Sequence, residues 1–181
     1  MNIVVRPYGS DLCYCRPDTT WERENKDFYV PDSIDAMYWA PVVFARISKA
    51  GKCIGSKFVS RYYDGYSFGV LLYCNDGPLA FTSCADHTSR LPLPFRDATL
   101  IEEGGEYRIT RDGEVIFSGA AERSRIEDTI CKASNITSLR IGDFVAVEMD
   151  RIKVLASKEK GQTGLEGRFN DETFLSFKLI F

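Results

Sequence analysis

The stretch Tyr66-Ser67-Phe68-Gly69-Val70-Leu71-Leu72-Tyr73, then Cys74-Asn75-Asp76-Gly77-Pro78, then Leu79-Ala80-Phe81-Thr82-Ser83-Cys84-Ala85-Asp86-His87-Thr88-Ser89-Arg90 decides the fold. Two apolar, β-prone runs flank a turn cluster, which predicts a hairpin turning at Asn75–Pro78. In the first run Tyr66, Phe68, Val70 and Leu72 fall on one face, and Ser67, Gly69, Leu71 and Tyr73 on the other. Both faces are largely apolar, so this strand belongs inside a packed sheet rather than at its edge. Gly69 in mid-strand marks a bulge or a close backbone approach. The second run ends in the densest group of polar side chains, so the mouth of the hairpin is the place to look for a site.

Outward from the hairpin, β signals dominate. Met1 to Val5 reads as a short strand stopped by Pro7 and Gly9. Val42, Val43 and Phe44 read as a buried strand, and Pro41 requires extended backbone before it. Glu106 to Thr110 and Val115 to Phe117 form a second hairpin around Asp112-Gly113. Ser124 and Glu127 have capping-box spacing, and Ile126, Ile130 and Ala133 follow at helical spacing, which predicts a helix over Arg125 to Ser134. Asp143 to Met149 reads as a strand. Ser157 to Glu172, rich in glycine and charge, reads as an exposed loop. Thr173 to Phe181 closes the chain as a strand with Leu175, Phe177, Leu179 and Phe181 on one face. The expected fold class is mainly β (α+β), one domain over residues 1–181, with one short helix.

A chain of 181 residues is long enough to bury a core of this kind. The formal net charge is −3 and the lysines and arginines are scattered, so neither a nucleic acid nor a membrane is the expected partner. No apolar run approaches the roughly 20 residues of a membrane span. No signal-peptide pattern opens the chain, and the expected location is cytoplasmic. Six cysteines in such a compartment are expected to be reduced. Cys13 and Cys15 form a C-x-C pair without a second pair or a histidine nearby, which reads as half-buried thiols in preference to zinc. His87 is the sole histidine, so a multi-histidine metal centre is excluded.

Three segments, in this order and spacing, resemble the fumarylacetoacetate hydrolase superfamily, as a shortened and degenerate member. Phe81 to Arg90 is similar to a strand running into the family's Asn-Asp-x-Ser-Ala-Arg-Asp signature, with Asp86, Thr88 or Ser89, and Arg90 falling on it. Tyr63 to Tyr73 resembles the family's His-Tyr-Glu-x-Glu-Leu strand. Ser138 to Val145 resembles its Leu-x-x-Gly-Asp-x-Ile. Arg111 to Glu114 stands where the family has Asn-Gly-Glu. The resemblance covers roughly residues 40–150. It implies a mixed β-sandwich or roll, often a homodimer, and a hard cation such as Mg²⁺ or Mn²⁺ held by carboxylates. Glutamates at i and i+2 of one strand share a face, so both reach one ion. That ion would grip a 2-oxo acid or 1,3-diketone and stabilise the enolate formed on C–C cleavage, isomerisation or decarboxylation.

The sequence departs from that pattern at the chemistry. Gly65 and Ser67 stand where the two glutamates belong. No lysine lies between Phe95 and Glu106. Val147-Glu148-Met149-Asp150 replaces Thr-Gly-Thr-Pro. If a metal site has been rebuilt, its candidate ligands are Asp86, Asp64 and Glu148; otherwise no cofactor is expected. Asp86 reads either as a remnant ligand or as a structural residue that caps the turn or pairs with Arg90. Arg90 reads as the binder of a small carboxylate ligand or as half of an intrachain salt bridge. His87 reads as an acid–base or substrate-binding group or as a turn residue. Two functions follow: a non-catalytic scaffold or small-molecule-binding relative, or a metal-dependent hydrolase, isomerase or decarboxylase.

Overall fold

The computed structural model describes residues 1–74 and 79–181, so the expected turn at Asn75–Pro78 lies outside the described residues. In chain order the strands are β1 (Asn2–Arg6), β2 (Tyr14–Pro17), β3 (Trp21–Glu22), β4 (Phe28–Tyr29), β5 (Ala36–Ile47), β6 (Tyr63–Cys74), β7 (Ser89–Arg90), β8 (Arg96–Asp97), β9 (Tyr107–Arg111), β10 (Glu114–Gly119), β11 (Phe144–Glu148), β12 (Lys153–Ser157), β13 (Gln162–Phe169) and β14 (Glu172–Ile180). A single turn of helix, α1 (Leu79–Thr82), precedes β7, and α2 (Arg123–Ile136) precedes β11. One sheet runs β2-β1-β11-β5-β6-β7-β3, with β12 also on β5 and β8 also on β6; the other runs β10-β9-β13-β14-β4. Among the described residues no helix is long and apolar enough to cross a membrane.

The antiparallel pair β5–β6 is the centre, in register from Met37 opposite Cys74 to Arg46 opposite Gly65, after which a bulge at Asp64 shifts the pairing to Ile47 opposite Tyr63. The other edge of β5 is shared, with β11 against Val42–Arg46 and β12 against Ala36–Trp39. Pro41 sits where one partner gives way to the other. Its missing N–H is therefore not called on there, while its carbonyl accepts from the Met149 amide at 2.8 Å.

Both faces of β6 are packed. Tyr66, Phe68, Val70 and Leu72 join the main core, against Tyr107, Leu165 and Phe177 of the second sheet and Ile126 and Ile130 of α2. Phe68 stacks on Tyr107 at 4.6 Å and on Phe169 at 5.0 Å. On the other face Leu71 and Tyr73 join a smaller core with Ile3, Val42, Phe44, Leu91 and Phe144. The expected alternation of the first run is thus the alternation between two cores. Gly69 is the close approach, not a bulge: a Cβ there would stand 2.3 Å from the Arg90 carbonyl oxygen.

Four expectations need correcting. The second run does not return as a strand: Leu79–Thr82 is helical, and only Ser89–Arg90 pairs back, opposite Leu71 and Val70. The helix runs Arg123–Ile136, and Ser124 is not its cap. Glu122 holds the N-cap position without a side-chain bond, and Glu127 accepts from the Tyr63 hydroxyl at 2.9 Å instead of reaching back. With α1, the chain has a second helical element. Ser157 to Glu172 is no exposed loop: β13 pairs with both β14 and β9. Its buried positions Thr163, Leu165, Gly167 and Phe169 alternate with more exposed ones, but two of the eight residues are glycines, which hide the period in the sequence.

Substituting Gly69→Ala forces the β6 and β7 backbones apart, since backbone rather than a flexible side chain blocks the new methyl. The expected cost is about 1–3 kcal/mol or more, read as a fall in the midpoint of urea unfolding.

Candidate functional site

The smaller core is where the resemblance places its two glutamates. Gly65 and Ser67 are successive residues of β6 on that face, and neither carries a carboxylate. The position of a Gly65 side chain is occupied: a Cβ there would lie 2.8 Å from Cβ of Phe95. The Phe95 ring meets Phe44 and Phe144, each at 5.5 Å between centroids. Trp21 closes edge-on against Phe144 at 5.0 Å, and the Arg46 guanidinium lies 4.8 Å from the Phe95 ring. Aromatic carbon fills ground where a hard cation requires several oxygen ligands. The implied Mg²⁺ or Mn²⁺ does not fit at Gly65 and Ser67.

The candidate ligands lie apart. Asp64 faces solvent and takes a bidentate contact from Arg46, Nε to Oδ1 at 3.0 Å and Nη2 to Oδ2 at 2.8 Å. Asp86 is exposed on the segment after α1. Glu148, at the end of β11, is buried in the smaller core's far end. Its Oε1 accepts a short bond from the Tyr73 hydroxyl, and its Oε2 accepts from the Tyr8 amide at 2.9 Å. The Tyr73 hydroxyl also meets that of Tyr14 at 2.8 Å. Burial raises the Glu148 carboxyl, against the pull of the Tyr73 hydroxyl, the Tyr8 amide and Arg16, and pushes the Tyr73 and Tyr14 hydroxyls up. Among the described residues no three His, Cys, Asp or Glu side chains stand close enough to share a metal. The six cysteines are free, and burial raises the thiols of both Cys13 and Cys15.

Arg90 is 1% exposed. Its Nη1 donates to the Lys26 carbonyl at 2.7 Å, and its guanidinium lies 4.3 Å from the Phe177 ring and 5.4 Å from that of Phe28. Nε and Nη2 have no hydrogen-bond partner. Burial lowers its pKa to about 10, with Glu22 and Asp27 opposing the shift. Arg90 is thus packed inside the protein and forms no salt bridge with Asp86. His87 takes a left-handed backbone, φ 60°, and its Nδ1 stands 3.4 Å from Oε2 of Glu22. Asp86 and His87 share the wall of an open cleft of about 580 Å³ with Glu22, Lys26, Asp27 and Tyr29. The sequence reading missed Glu22 and the buried Arg16. Both sit in a polar stretch whose path across the sheet no local pattern discloses.

No protein-family model matches this sequence, and no curated protein matches it. Solved structures do. The chain has the fold of the fumarylacetoacetate hydrolase superfamily. A structure from Yersinia pestis CO92, described as a fumarylacetoacetate hydrolase family protein, superposes with a TM-score of 0.82 at 16% identity, over 99% of this chain and 92% of that one. Fumarylpyruvate hydrolase from Pseudomonas aeruginosa, solved with Mn²⁺ and pyruvate, gives 0.82 at 16% identity over 99% and 88%. The 5-carboxymethyl-2-hydroxymuconate delta-isomerase of Mycobacterium smegmatis gives 0.80 at 14% over 99% and 78%.

Glu148→Ala strips a buried hydroxyl and an amide of their acceptor, with an expected loss of about 1–3 kcal/mol. Asp64→Ala removes a surface pair and costs at most about 1 kcal/mol. Chemical denaturation of the two variants separates them.

Burial raises the Glu148 pKa in the folded chain, so the folded state holds that proton more tightly than the unfolded one. The resulting stabilisation is fully present below the unfolded value of about 4.3 and is lost as pH rises through the raised value. The stability of the unaltered chain relative to Glu148→Gln therefore falls across that interval, measured as the difference between two pH series of unfolding curves.

Proposed function

We propose that this protein is a non-catalytic relative of the fumarylacetoacetate hydrolases, one that keeps the fold for binding or assembly. The observation that carries this reading is Phe95 standing against Gly65. Two further facts support it. Asp64 is engaged by Arg46, and Glu148 is engaged by Tyr73 and Tyr8. Arg90, the candidate for a small carboxylate ligand, is packed between Phe177 and Phe28. Any small ligand is better placed in the open cleft beside Asp86 and His87, where side chains can reach it.

A second reading, a divalent-metal-dependent hydrolase, isomerase or decarboxylase with a rebuilt site, rests on Asp86. It is exposed and shares the cleft with Glu22 and Asp27. Glu22 is nearly buried beside His87, and the exposed oxygen donors of Asp86 and Asp27 bind Mg²⁺ poorly against its hydration shell.

Titrating the protein with Mg²⁺ and with Mn²⁺ in a calorimeter separates the two. On the non-catalytic reading neither ion gives saturable heat in the micromolar range, and fumarylpyruvate is not turned over with either metal present. Micromolar Mn²⁺ binding that disappears in Asp86→Ala would establish the rebuilt site instead.

A further inference from the structure

We propose that the end of the molecule formed by residues 48–62 and 133–142 docks on an anionic lipid surface. The lysines and arginines are scattered in the sequence, but the fold collects some of them. The Ser48 amide donates to the Tyr62 carbonyl at 2.9 Å, closing the first segment on itself. Gly51 and Leu139 exchange backbone bonds of 3.0 and 2.9 Å, and the Cys53 amide donates to the Ser134 carbonyl at 2.9 Å, joining the first segment to the second. Lys49, Lys52, Lys57, Arg61 and Arg140 are all exposed on these two segments. Neither segment contains an aspartate or a glutamate. Among the described residues none of these five cations makes an ion pair; Lys49 lies 5.1 Å from the Tyr62 ring and Arg61 5.5 Å from that of Phe58. This unneutralised pole belongs to a chain whose formal net charge is −3.

Apolar side chains are exposed on the same two segments. Phe58 is 52% exposed, Ile136 79% and Ile141 72%. They project from a turn, a helix end and a loop. Cations that stay in the headgroup layer around apolar side chains that enter the acyl boundary are the pattern of an interfacial contact. A second copy docked through the same pole would set like charges against each other. A duplex would engage the cations through its phosphates but would leave Ile136 and Ile141 exposed, and a single strand would find only Phe58 to stack on.

Co-sedimentation with vesicles tests the proposal. The intact protein is expected to bind phosphatidylcholine–phosphatidylserine vesicles, not vesicles of phosphatidylcholine alone, and to be released by added salt. Each cation near such a surface is worth about fivefold, so Lys52→Ala with Lys57→Ala should weaken binding by about 25-fold. Phe58→Ser with Ile141→Ser should weaken it while leaving the salt dependence in place. Lys153→Ala with Lys158→Ala, outside the pole, should change nothing. Absence of binding to the mixed vesicles overturns the proposal, as does binding that salt does not weaken. Retention by DNA or an acidic peptide, with none by vesicles, overturns it too. The salt titration uses the unaltered chain, so a variant that fails to fold does not spare the proposal.

Discussion

Strand β6 is covered on both faces, and of its residues only Asp64 remains exposed. A strand in that position has no solvent to which a polar side chain could be turned. Whatever stands on its second face must be filled by carbon or satisfied by buried partners. The chain uses both solutions. Toward the β6 N-terminus, Phe95, Phe44 and Phe144 close over Gly65 and Ser67. Toward its C-terminus, the Tyr73 hydroxyl finds Glu148 and Tyr14. The two ends of one sheet face thus differ in chemistry, and the difference is set by which side chains the neighbouring strands deliver.

The segment between α1 and β7 is irregular, so its backbone groups need partners outside any ladder. Arg16 ties it to β6: Nε donates to the Ser83 carbonyl at 2.7 Å, and Nη2 to the β6 carbonyl of Leu72 and to Thr88 Oγ1 at 2.8 Å each. Thr20 and Ser89 join hydroxyls at 2.8 Å. A buried guanidinium is costly without a counter-charge, and for Arg16 the influence of buried Glu148 supplies part of it. The stretch that resembles a catalytic signature is therefore also the stretch that needs the most internal bracing. Thr88 and Arg90 are absorbed by that task.

How much of this could be read from the residues alone follows from range. The β6 alternation and the Asp112-Gly113 turn are local, and each stood as expected, while Gly69 was marked only as a bulge or a close approach, and its contact with Arg90 decided between them; Asp112 and Gly113 both take positive φ, 51° and 88°. Strand β13 was illegible because glycine at Gly167 leaves room for Leu175, 3.0 Å from where its Cβ would be; a tertiary contact chose the residue and erased the pattern. Phe81 lies in a run with strand propensity but is 75% exposed in a helical turn, so tertiary context overrode the preference. At the candidate site, the absence of carboxylates at positions 65 and 67 was visible in the sequence. The aromatic side chain that occupies the space was not, because Phe95 is brought there by β8, which pairs with Gly65 and Tyr66 from 30 residues further along the chain.

On the proposed reading, Gly65, Ser67 and Phe95 act as one change rather than three. Two glutamates on a buried strand face are tolerable only while a cation neutralises them. Without the ion they are like charges in a low dielectric, and each would be driven toward protonation. Removing the glutamates relieves that repulsion but opens a void, and an unfilled void costs packing energy in proportion to its size. An aromatic ring entering over a glycine removes both penalties together. On the proposed reading, restoring one glutamate alone would meet Phe95, and trimming Phe95 alone would leave a cavity beside Phe44 and Phe144. On that reading the smaller core would have to change at all three positions before a cation could be held there.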